Sequence, residues 1–74
     1  MSRLPVLKSH EVTRALLKAG FIEVRQKGSH KIFKKDTRRV IVPFHKGVDI
    51  KKGTLAAIIE STGLTFDEFL ALLK

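Results

Sequence analysis

Cysteine, tryptophan and tyrosine are absent from this 74-residue chain, proline occurs only twice, and seven acids stand against fifteen bases. Without cysteine, neither a disulfide framework nor a thiolate metal site can staple the fold, and no oxidising compartment is implied. No run approaches the ~18 apolar residues of a membrane span, and the opening MSRLPVLKS has no apolar signal core. These absences predict a soluble cytoplasmic protein without membrane association. A chain of this size buries only roughly 60% of the surface its unfolded form exposes, so its core is small. At 43% hydrophobic it is nonetheless too aliphatic for disorder. With no repeat, linker or low-complexity tract, it reads as a single domain over residues 1–74.

What is abundant is positive charge, and it is concentrated. Residues 25–52 carry ten basic residues (Arg25, Lys27, Lys31, Lys34, Lys35, Arg38, Arg39, Lys46, Lys51, Lys52) and two acids, Asp36 and Asp49. That segment accounts for the whole formal charge of +8, since the remaining positions hold five of each sign. Two readings follow: a solvated basic surface that aids solubility, or an electrostatic footprint for a polyanion such as nucleic acid. Confinement of the excess to one segment favours the second.

Periodicity gives the element order. Ser9 is a candidate N-cap for a helix whose apolar face is Val12, Ala15, Leu16 and Ala19, ended by Gly20. Three β-branched and aromatic stretches, 21–26, 30–35 and 39–44, are separated by Gly28 and by residues 36–38, connections short enough to require an antiparallel meander. Val40, Val42 and Phe44 share one face of the third strand, and Pro43 places that strand's end nearby. A loop with Asp49 as a possible cap leads to a second helix from about 51 or 54 to 62, closed by Gly63. LTFDEFL then combines a Thr65/Glu68 capping box with a Leu64/Phe69 staple, predicting a short third helix over 66–73. The class is α+β, a three-stranded antiparallel sheet with helices packed on one face.

Candidate chemistry centres on KGSHKIF. His30 either completes a hairpin or, as a ring that exchanges protons near neutral pH among cations a phosphate would neutralise, performs general acid–base work. Gly28 and Ser29 either form the turn or expose an amide and a hydroxyl to a phosphate. His45, in PFHKG, is a second polar group of the same site or a loop residue. No histidine or acid spacing matches a metal site, and no phosphate-binding glycine loop or Ser-His-Asp set is present. All five aromatics are Phe, and Phe33 is the main candidate for stacking a base. Phosphate and shape contacts by Lys and Arg fit better than a multi-ring single-strand platform.

The stretches LLKAGF, RQKGSHKIF, VIVPFHKGVDIKKGTL and IIESTGLTFDEFL, spanning nearly the whole chain, carry a resemblance to the HicA family of small toxin ribonucleases, also called YcfA-like. The G-S-H element followed by P-x-H-x-G is its most specific part. The resemblance implies a fold like the double-stranded-RNA-binding domain (dsRBD-like), α-β-β-β-α plus a short C-terminal helix. It also implies cleavage of mRNA without a metal cofactor, His30 as the residue toxicity requires, and a HicB-type antitoxin that blocks the site. His45 or a lysine would supply the second proton transfer. Lys27, Gly28, Ser29, Lys31, Lys34, Lys35, Arg38, Arg39, Lys46, Lys51 and Lys52 are the expected RNA contacts. The alternative is a double-stranded-RNA-binding module that does not cut.

Overall fold

Two two-residue turns set the register of the sheet. The computed structural model describes residues 4–73, with α1 (Ser9–Lys18), β1 (Ile22–Lys27), β2 (His30–Lys35), β3 (Arg38–Pro43), α2 (Lys52–Thr62) and α3 (Phe66–Ala71). Lys27 pairs with His30 across Gly28-Ser29, and Lys35 with Arg38 across Asp36-Thr37. Both turns need positive φ at their first central residue, and it is supplied by Gly28 (+59°) and Asp36 (+55°). The sheet is antiparallel in the order β1-β2-β3, as the short connections required.

Alternation along the strands then divides the side chains between two faces. Phe33, Val40 and Val42 are buried against Val12, Ala15 and Leu16 of α1, Leu55, Ile58 and Ile59 of α2, and Phe69 of α3. The helices therefore cover one face only, the expected α+β, dsRBD-like arrangement. Phe33, expected as a base-stacking platform, is instead 1% exposed within this core. Its neighbour Ile32 points the other way, and the sequence pattern alone did not choose between them; the helices do, by covering the face that already carries Val40 and Val42.

The helix termini differ from expectation at two positions. Ser9 does not cap α1: Lys8 holds that position, and its backbone N–H donates to Glu11 Oε1 at 2.9 Å. Ser9 is buried and its Oγ donates to the Pro43 carbonyl at 2.9 Å, while the His45 backbone N–H donates to Ser9 Oγ at 3.3 Å. A small hydroxyl in the first turn thus ties α1 to the end of β3. Asp49 does not cap α2 either, but pairs with Lys8 Nζ at 3.0 Å. The α3 capping box forms as expected, with Glu68 N–H donating to Thr65 Oγ1 at 3.1 Å and Thr65 N–H to Glu68 Oε1 at 2.8 Å.

Two substitutions check this packing. Phe33→Ala removes a ring from the centre of the core and is expected to cost about 3–5 kcal/mol, a large share of the ~5–15 kcal/mol typical of a domain, as a fall in denaturant midpoint. Were Phe33 a surface platform, RNA affinity would fall and the midpoint would not. Thr65→Ala should cost ~1 kcal/mol by the same measurement.

Candidate functional site

His30 is the first residue of β2 and is exposed. Its cross-strand partners are Lys27 on β1 and Pro43 on β3, so all three project from the same face. That face also carries Ile32 with its partners Arg25 and Ile41, and Lys34 with its partners Ile22 and Arg39. Because Phe33, Val40 and Val42 occupy the opposite side, His30 stands on the face that no helix covers. Lys27, Ser29, His30, Ile32, Arg39 and Ile41, together with the Gly28 backbone, line one shallow concavity there. Its floor is apolar, Ile32 being only 8% exposed, and its rim is cationic.

Electrostatics reinforce the reading of this face as an anion surface. Lys34 and Arg39 are directly opposed across β2 and β3, a like-charge pairing that destabilises a sheet and that a bound phosphate would relieve. Arg25 was counted among the basic residues but not among the expected contacts. Counting back from the Gly28-Ser29 turn would have placed it on the His30 face, although the bulge between Glu23 and Arg25 makes that count unsafe further along β1.

The remaining expected contacts separate into three groups. Lys31, next to His30 in sequence, projects to the helix-bearing side, where its Nζ lies 3.5 Å from Glu23 Oε1 and 4.2 Å from the Phe44 ring centroid. Lys35 and Arg38 sit at the far end of the sheet. Lys35 Nζ donates to the Ala19 carbonyl at the C-terminus of α1 at 2.6 Å, and the Arg38 guanidinium lies over Gly63 at the C-terminus of α2. Cations at helix C-termini complement the macrodipole, so these two have structural work.

The third group is His45, Lys46, Lys51 and Lys52, on the loop after β3 and the start of α2. His45 is exposed, and together with Lys51 lines a separate cavity bounded by Ser9, Pro43, Asp49 and Thr54. The structure therefore gives the two histidines different concavities, with Pro43 as the residue between them: it pairs with His30 and lines the second cavity. Among the described residues no three His, Asp or Glu side chains are grouped to hold a metal ion, and no helix is long and apolar enough to cross a membrane.

This partition is testable by salt dependence of binding to a short RNA. Lys27→Ala and Arg39→Ala should each flatten the log–log slope by about 0.7–0.9; Lys27→Ala should leave thermal stability unchanged, and Arg39→Ala, which removes the like-charge pairing with Lys34, should raise it slightly. Lys35→Ala should do the reverse, lowering stability by roughly 0.3–1 kcal/mol with the slope intact.

Comparison with known proteins bears on what such a face is for. A family model described as HicA toxin of bacterial toxin-antitoxin matches residues 9–64, from the first residue of α1 to Leu64, leaving α3 outside the match. No curated protein matches the chain.

Proposed function

The chain belongs to the HicA toxin family of bacterial toxin–antitoxin systems, and from that premise we propose that it is a metal-independent endoribonuclease that cleaves mRNA with His30 as its acid–base residue. The observation that carries this reading is the placement of His30: exposed, on the helix-free face, in one concavity with Lys27, Ser29 and Arg39. A phosphodiester seated there meets a proton-transfer group and cations at once.

The reaction that fits uses the substrate's own nucleophile. His30 takes the proton from a ribose 2′-OH as its oxygen bonds to the adjacent phosphorus; the P–O5′ bond breaks and the departing oxygen takes a proton. The products are a 2′,3′-cyclic phosphate and a 5′-hydroxyl. Arg39 and the Ser29 hydroxyl offset charge on the pentacoordinate phosphorus, a role for donors aimed where charge develops. Lys27 is the second proton-transfer group, because it faces His30 directly with Cβ atoms about 4.5–5.5 Å apart, the spacing of a cross-strand pair. His45 lies beyond Pro43 in the other cavity and is left for a different role.

A toxin of this family works against an antitoxin, and a HicB-type protein that covers the helix-free face would shut the site by excluding the phosphodiester. The cytoplasm, where transcripts are met, is the proposed place of action.

His30→Ala should lower RNA cleavage by about 10²–10⁴-fold while RNA affinity stays within a few-fold. Lys27→Arg should keep affinity but lose cleavage, since guanidinium retains charge and does not release its proton. DNA, lacking the 2′-OH, should bind and stay intact. Binding without cleavage in both wild type and His30→Ala would identify a binding module instead, and efficient DNA cleavage would rule out the 2′-OH mechanism.

A further inference from the structure

The second cavity, about 240 Å³ in volume, lies between the start of α1, the end of β3 and the start of α2. Three features limit what it can hold. Its walls include Pro43, Val48 and Ile50, so much of the surface is apolar. Its polar rim mixes an imidazole (His45), a hydroxyl (Thr54), an ammonium (Lys51) and a carboxylate (Asp49), donors and acceptors of both signs rather than the uniformly cationic rim at His30. It is smaller than the ~300–1,000 Å³ of sites for drug-sized ligands, which suits one heterocycle.

Resting on the nuclease reading above, we propose that this cavity holds a single unpaired nucleobase of the RNA, adjoining the phosphate at His30. His45 is its stacking surface and Asp49 the acceptor for an amino group on its edge. Position supplies the link, since Pro43 is the cross-strand partner of His30 and also lines the cavity. Ring inventory supports the stacking role. Phe21, Phe33 and Phe69 are buried, Phe66 packs against the core, and the Phe44 ring lies beneath the Lys31 ammonium, whereas His45 is exposed and is held through its backbone, its N–H donating to Ser9 Oγ and its carbonyl accepting from Val48. Imidazole is among the side chains on which splayed-out RNA bases stack. Lys8 engages only Oδ1 of Asp49, and a carboxylate has a second oxygen to accept from a base amino group, as carboxylates do from cytosine N4. The cavity therefore favours bases with an exocyclic amine over uracil.

The test separates this subsite from catalysis by measuring binding, not turnover. In a His30→Ala background, fluorescence anisotropy compares a short RNA carrying cytosine at the position beside the scissile phosphate with the same RNA carrying an abasic residue or uracil there. The abasic RNA should bind about 5- to 100-fold more weakly, and uracil should also bind more weakly than cytosine. Adding His45→Phe should preserve the preference for the base, because a ring remains, and adding His45→Ala should abolish it. Asp49→Asn should erase the advantage of cytosine over uracil. Equal affinity for base and abasic RNA, equal loss with Phe and Ala, or no binding by any oligonucleotide overturns the proposal. Failure of the wild type to cleave RNA, with base preference intact, overturns only the nuclease reading.

Discussion

The rest of the molecule depends on the two-residue turn at Gly28-Ser29. A loop that short admits one pairing, Lys27 with His30, and side chains alternate from there with period two. A slip of one residue would send His30 under the helices and bring Phe33 into water. Core and open face are thus specified together, because Phe33 and His30 occupy positions of opposite parity on the same strand. The Phe44 N–H donates to the Ser29 carbonyl, which ties the turn to the end of β3, and Ser9 ties that end to α1.

A second consequence is polarity along the sheet. α1 and α2 start near the end that carries His30 and His45 and finish near the β2–β3 turn, as the contacts of Ser9 with Pro43 and of Lys35 with Ala19 show for α1, and the nearness of His45 to Thr54 and of Arg38 to Gly63 for α2. Their positive dipole ends therefore lie on the side of the histidines, and Lys35 and Arg38 complement the negative ends. A charge excess that forms a single block in sequence is divided by the fold. Lys35 and Arg38 stabilise helix termini, Arg25, Lys27, Lys34 and Arg39 are directed across the uncovered sheet, Lys31 packs on the helix-bearing side, and Lys46, Lys51 and Lys52 lie on the loop after β3 and the start of α2.

The elements were legible because each has a local cause: Gly20 and Gly63 at helix ends, the Thr65/Glu68 box, and β-branched runs broken by turns. Strand boundaries moved by one residue at β1 and β3, where an antiparallel partner extends or ends the ladder irrespective of propensity. Less legible was anything set by tertiary contact. Nothing local to Ser9 says that its hydroxyl reaches Pro43, 34 residues away, and a serine before an amphipathic run reads as a cap. Ile32 and Phe33 are equally apolar neighbours, so the side of the sheet chosen by the helices decides which is core. The histidine of KGSHKIF is a candidate by its setting and by family resemblance. Its company was not legible, since Lys31 lies beside it in sequence and beneath it in space, whereas Arg39 lies nine residues away and shares its concavity.

All six residues of β1 are exposed, and among the described residues the strand pairs only with β2. Such an edge, with Ile22 and Val24 outward, is an open template on which a second copy of the chain would add strands. Two features described above for other reasons oppose that. The bulge between Glu23 and Arg25 breaks the flat row of donors and acceptors, and Arg25 and Lys27 would set like charges against like in a self-paired edge. The cations proposed to meet a polyanion on this face thus also set positive charge along the open edge of the sheet.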